Sequence, residues 1–181
     1  LHVNTDCLTD DATLFETQNL HGATSCLGAM THSGGNQNAC LFGISDPDGA
    51  YGTALARLED SMQSAAQDAT RRALLAADRL GEVPELVWIS ATPGSEEDAI
   101  AGVEAVLGKD VPILGGSAAD NDVSGNWRLF TAAARTASGV IVSVLFPSCP
   151  ISFAYQNGYS PSPKTGIVTK SENRKIIEID Q

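Results

Sequence analysis

An apolar run, a helical repeat and a second apolar run succeed one another between Leu86 and Leu114, and this alternation leaves few folds open to the chain. Leu86-Val87-Trp88-Ile89-Ser90 sits between Pro84 and Pro93-Gly94 and reads as a strand buried on both faces. Ser95, with Asp98 three residues on, opens a helix that turns Ile100, Val103 and Leu107 inward and stops at Gly108. Val111-Pro112-Ile113-Leu114 is then the second strand of a β-α-β unit, whose right-handed crossover makes the two strands parallel.

The flanking sequence adds a second helix and more strands. Met62, Ala65, Ala66, Ala69, Ala73, Ala76, Ala77 and Leu80 fall on one face at helical spacing, and an alanine-lined face lets a helix lie close to a sheet. Asp60 with Gln63 has the form of a capping box, and Gly81 suits a left-handed stop. Arg71, Arg72, Asp78 and Arg79 fall outside the apolar stripe, on a solvated face. Upstream, apolar stretches at 20–23, 39–44 and 50–55 are separated by Ser33-Gly34-Gly35-Asn36 and Asp46-Pro47-Asp48-Gly49, which predicts a β-meander with a hairpin at the glycine pair. Downstream, 127–130, 139–146 and 151–156 read as strands, the middle one nearly all apolar and therefore central. After the irregular Tyr159-Ser160-Pro161-Ser162-Pro163, segments 166–169 and 175–180 form a last pair. The expectation is a layered, mixed α/β fold, a mixed sheet with helices packed at about 61–80 and 95–107, in a single domain over 1–181.

At 181 residues, one core suffices without staples, since folding buries roughly 70% of the unfolded surface. Eleven Lys plus Arg against 22 Asp plus Glu give a net charge of −11, a field that repels phosphate backbones and anionic headgroups, so neither nucleic acid nor membrane insertion is expected. No apolar run is long enough to span a bilayer, and LHVNTDCLTDDATLF lacks the form of a signal peptide, which predicts a cytoplasmic protein. Cys7, Cys26, Cys40 and Cys149 form no C-x-x-C pair and read as thiols. Aromatic residues at 6% argue against a cavity walled by stacked rings.

Directly after the second strand of the β-α-β unit comes Gly115-Gly116-Ser117-Ala118-Ala119-Asp120-Asn121, a glycine turn at the strand end, where open α/β sheets hold ligands. It is neither a P-loop nor a dinucleotide G-x-G-x-x-G. Exposed N–H groups of the turn suit an anion, and Asp120 beside Asn121 accepts from an ammonium, so an amino acid offers both matching charges. The alternative is a turn in which Asp120 and Asn121 satisfy neighbouring backbone groups. A second small-residue turn, His21-Gly22-Ala23-Thr24-Ser25-Cys26-Leu27-Gly28, carries hydroxyls and a thiol. The ligand-binding candidates are Gly115, Gly116, Ser117, Asp120, Asn121, Ser25 and Trp127. There is no G-x-S-x-G elbow, and Cys26 with His21 or His32 is the obvious supply of nucleophile and base for acyl transfer. His21, Cys26, His32 and Cys40 match no zinc-finger spacing, and a haem would draw on His2, His21 or His32. No catalytic residue, metal or cofactor is assigned.

Three stretches, in order, carry a resemblance that spans nearly the whole chain. Pro112-Ile113-Leu114-Gly115-Gly116-Ser117-Ala118-Ala119-Asp120-Asn121 with Trp127 and Phe130 resembles the signature of the N-terminal region of FIST domains. Ala23-Thr24-Ser25-Cys26 stands where that family has a G-C-S-T-x-G-E motif, with Ala29 at the acidic position. Gly158-Tyr159-Ser160-Pro161, Gly166-Ile167-Val168-Thr169-Lys170 and Ile176-Ile177-Glu178-Ile179-Asp180 are similar to the end of the same region. The resemblance implies a cytoplasmic sensory module of signal transduction that binds a small polar ligand, amino acids being the proposed class, and reports to a downstream signalling protein. It also implies an alternative, haem-based sensing of nitric oxide. The expected region is the N-terminal part, without the family's C-terminal region.

Overall fold

The computed structural model describes residues 2–4, 19–31, 34–154 and 159–180, which belong to two compact units, Leu1–Ile151 and Ser152–Gln181. In the first, the elements run β1 (His2–Asn4), β2 (Gly22–Ser25), β3 (Ala29–Thr31), β4 (Gly34–Gln37), β5 (Ala39–Cys40), β6 (Ala50–Arg57), α1 (Met62–Ala76), β7 (Leu86–Ala91), α2 (Glu96–Leu107), β8 (Ile113–Ser117), β9 (Leu129–Phe130), β10 (Arg135–Thr136) and β11 (Gly139–Phe146).

These strands build two main sheets. The four-stranded one has the order β6-β11-β7-β8 and the five-stranded one the order β10-β9-β2-β1-β5. β7 and β8 are parallel and adjacent, as the β-α-β reading requires. Val-rich β11 lies between β6 and β7, antiparallel to both, and its inner residues are buried throughout. The second unit contains the antiparallel pair β12 (Val168–Glu172) and β13 (Lys175–Ile179), and Asp180 ties its end by accepting from the Ile167 N–H at 2.7 Å.

One face of the four-stranded sheet is closed by the helices. Ala54, Ala56, Val87, Ile89, Ala91, Val140, Val142 and Val144 pack against Met62, Ala65, Ala66, Ala69, Ala73, Leu74, Ala99 and Val103. The approach is close enough that a Cβ on Gly52 would stand 2.0 Å from the Ala73 carbonyl oxygen, and one on Gly102 would stand 2.4 Å from that of Gln63. Small side chains on both partners therefore set the layer spacing. On the opposite face, Leu55 and Ile141 meet Ala23, Leu129, Ala118 and Trp127 of the five-stranded sheet and its loops. Helices, sheet and sheet form three layers.

Several local expectations are corrected. Among the described residues the meander is not formed: β2 pairs with β1 and β9, whereas β6 pairs with β11, where its Ala54 and Ala56 pack in the helix-backed core. A hairpin forms between β3 and β4, but Gly34 and Gly35 lie within strand β4, Gly34 paired with Thr31, rather than in a turn that separates strands. Helix α1 is capped by Ser61, whose hydroxyl accepts from the Ser64 N–H, rather than by an Asp60–Gln63 box. It ends at Ala76, before Gly81: Asp78 takes the left-handed conformation, and its N–H and that of Arg79 bond back to Leu75 and Leu74 in a Schellman arrangement. Ala76 and Leu80 are consequently exposed, while Thr70 and Leu74 join the buried face. In α2, Ala99, Gly102 and Val103 face inward and Ile100 does not. The strand expected at 127–130 is reduced to Leu129–Phe130, residues 151–154 form no strand, and 155–156 lie outside the described residues.

Candidate ligand site

The two small-residue segments singled out in the sequence meet in the fold. Ala118 leaves β8 with its N–H on the Ala91 carbonyl (2.9 Å), and the next residue, Ala119, donates to the Thr24 carbonyl on β2 (2.9 Å). Asn121 then accepts from the Leu27 N–H through Oδ1 at 2.6 Å. The chain thus crosses from the end of the four-stranded sheet to the end of β2 in four residues, and loop 22–28 and loop 117–121 become one structure. The turn at Ser25–Gly28 is tight: Leu27 and Gly28 both have positive φ, and the Ser25 hydroxyl donates to the Gly28 carbonyl at 2.8 Å. Thr24, overlooked in the sequence, is the buried anchor of this corner, accepting the Arg128 N–H on its hydroxyl at 2.9 Å.

Asp120 is buried, and its carboxylate faces its own loop. The Asn126 N–H donates to Oδ2 at 2.7 Å and the Ser124 hydroxyl at 3.4 Å. Burial pushes its pKa up, but the donors from Asn126, Val123, Gly125 and Ser124 together outweigh that and hold the carboxyl below the usual range. Asp120 thereby shapes the 121–126 loop.

Gly115 and Gly116 are not a turn. Strand β8 continues through both to Ser117, in register with Ile89, Ser90 and Ala91 of β7. Gly115 has φ of +148°, and a Cβ there would fall 1.8 Å from the Ile89 carbonyl oxygen, so only glycine fits. The turn expected at 115 begins instead at Ala118. Ser117, exposed at the strand end, donates to Glu96 Oε1 at 2.5 Å, and the same carboxylate accepts from the Gly94 N–H at 3.2 Å. Glu96 is a second residue the sequence reading missed; the acidic first turn of α2 was its signal. Trp127 lies against the Ala23–Leu129 cluster, with its indole N–H on the Ala137 carbonyl at 3.2 Å, on the inner side of the corner.

Between the sheets lies a polar chain. His21 Nδ1 is 2.8 Å from Ser143 Oγ, His21 Nε2 is 2.8 Å from Ser90 Oγ, and Ser143 Oγ is 2.7 Å from Thr53 Oγ1. A residue just ahead of β2 is thus tied to three strands of the other sheet. Both ring nitrogens are engaged, so His21 does not fit the role of an axial haem ligand or of a base for Cys26; His32 lies outside the described residues, and β1 is described as backbone. Among the described residues no group of His, Cys, Asp and Glu is arranged to hold a metal. Cys26 and Cys149 are exposed free thiols and Cys40 a part-buried one; Cys7 is not among the described residues.

A family model, the FIST N domain, matches residues 12–181. The chain belongs to the FIST family. No curated protein matches it at a significant level. FIST domains are sensory domains of signal transduction, and the corner described here is built from segments that carried the FIST resemblance. No helix among the described residues is long and apolar enough to cross a membrane.

Proposed function

We propose that this FIST domain is a cytoplasmic sensor that reversibly binds a small polar ligand of the amino-acid class, without chemistry, and reports to a downstream signalling protein. The observation that carries the reading is the fusion of loops 22–28 and 117–121 through Asn121–Leu27 and Ala119–Thr24. A ligand held there bridges two sheets whose mutual position depends on the same corner. Within the reading, the Ser25 hydroxyl turns from the Gly28 carbonyl to donate to a ligand carboxylate, and Glu96 beside Ser117 supplies the acceptor for an ammonium. Gly116 keeps the entrance shallow, Trp127 supports the corner from below, and Asp120 holds the loop in shape.

The test is a thermal-shift screen across amino acids, amines and simple carboxylates. A true ligand at a hundredfold excess over its Kd stabilises the folded state by about 2.7 kcal/mol. Glu96→Gln and Ser25→Ala should each weaken the response to a compound carrying both charges while leaving the unliganded midpoint close to that of the parent. A screen in which no compound moves the midpoint rejects the proposal.

A further inference from the structure

The four-stranded sheet has two edges, and they are finished differently. At β6, outward carbonyls are covered by side chains: Tyr51 accepts from Asn19 Nδ2 at 3.0 Å, and Leu55 accepts from the Arg72 guanidinium. At β8, the Pro112 carbonyl and the Ala118 N–H point to β7, so the alternation of a parallel ladder turns the N–H and C=O groups of Ile113, Gly115 and Ser117 outward. Among the described residues no strand pairs with that side, and Gly115, Gly116 and Ser117 are exposed. Proteins usually blunt such an edge with Lys, Pro or a bulge, and none of these stands within Ile113–Ser117.

The charge around the edge selects what comes. From Thr92 to Asn121 the chain carries Glu96, Glu97, Asp98, Glu104, Asp110 and Asp120 against the single cation Lys109, and Glu96 is bonded to Ser117 on the strand itself. Pairing of two β8 edges would set these carboxylates against one another in copies that each carry −11. We propose that the outer edge of β8 receives an extended Lys- or Arg-bearing segment of a partner protein as an added strand, with main-chain bonds to Ile113, Gly115 and Ser117 and cationic side chains against the α2 carboxylates. This docking surface meets the ligand corner at Ser117 and Glu96, but it rests on the open strand edge and not on the ligand reading.

The probe is a fluorescein-labelled peptide Lys-Val-Lys-Val-Lys-Val-Lys, titrated with the full chain and followed by anisotropy. Alongside it run Glu-Val-Glu-Val-Glu-Val-Glu and a copy of the first peptide with alternate amides N-methylated. Saturable binding of the basic peptide is expected, weakened roughly tenfold or more by N-methylation and by Glu96→Gln/Glu97→Gln/Asp98→Asn. Hydrogen exchange at the Ile113, Gly115 and Ser117 amides should slow in the complex. Equal binding of the N-methylated peptide, slowed exchange confined to other strands, or no saturable binding overturns the proposal. So does a chain that dimerises alone with these amides already protected.

Discussion

The two faces of the four-stranded sheet are built from the same strands and are held in opposite ways. Toward the helices the residues are Gly52, Ala54, Ala56, Val140 and Val142, and closeness comes from missing volume. Toward the second sheet the intervening residues include Thr53, Ser143 and Ser90, and closeness comes from the Ser143 and Ser90 hydroxyls on one imidazole, with Thr53 bonded to Ser143. The apolar face has no tolerance for added atoms, whereas the polar face has no tolerance for lost partners. The alternation of a strand lets one sequence meet both demands at once.

The largest expected effect is on the apolar face. Gly52→Ala should cost about 3 kcal/mol or more in urea denaturation, since the new methyl meets backbone of α1 that cannot step aside. A loss below about 1 kcal/mol would mean that α1 slides easily and would erase the contrast. On the polar face, His21→Ala should cost about 1–3 kcal/mol by leaving Ser90 and Ser143 hydroxyls without the ring. A double-mutant cycle with Ser90→Ala should then show coupling, and additive losses would argue that the network is not one unit.

Acid and alkali probe the same polar row where it ends at Tyr51. Asp46 accepts from the Ser148 hydroxyl (2.5 Å) and N–H (2.8 Å) and from the Tyr51 hydroxyl (2.7 Å), and these donors, the Ser148 hydroxyl foremost, hold it at about 2 instead of 3.8. Because the folded value is depressed, the clasp stabilises above pH 3.8, and that contribution is lost as pH falls through about 2. Burial, then the bond to Asp46, raises Tyr51 to about 12, so its contribution is complete below pH 10.0 and is lost as pH rises through about 12. Asp46→Asn should flatten both limbs of a urea-midpoint profile, and an unchanged profile would remove the clasp from the account. Asp120, also depressed, should add to the acid limb, and Asp120→Asn should loosen exchange protection in 121–126 before it changes global stability. The smallest effect belongs to the exposed Arg72–Asp68 pair on α1, where Asp68→Ala should shift stability by less than about 0.5 kcal/mol.

Much of this was legible in local pattern. The alanine spacing of α1, the unbroken apolar runs of β7 and β11, and Gly108 as the end of α2 each follow from neighbours in sequence. Segments 22–28 and 115–121 were likewise recognisable as small-residue stretches after strands, and they meet in the fold. The exceptions share a cause. Leu20 to Leu55 looked like a meander because strand propensity does not say which strand is the partner. The glycine pair at 115 looked like a turn because glycine permits a turn as readily as a strand pressed against a carbonyl. Asp78 replaced Gly81 as the helix stop because two back-bonds to Leu74 and Leu75 compensate an aspartate in the left-handed region.

By itself the sequence determined the layer type, the two helices, the parallel strand pair and the family, because each is written in periodicity or in contiguous motifs. Only the tertiary structure decided that Asp120 turns inward to its own loop, that Asn121 reaches Leu27, and that His21 finds Ser90 and Ser143. Those bonds join residues between 6 and 122 positions apart. Which hydroxyl or amide a side chain meets is fixed by how the two sheets stack, and stacking is a property of the assembled layers that no short stretch of chain contains.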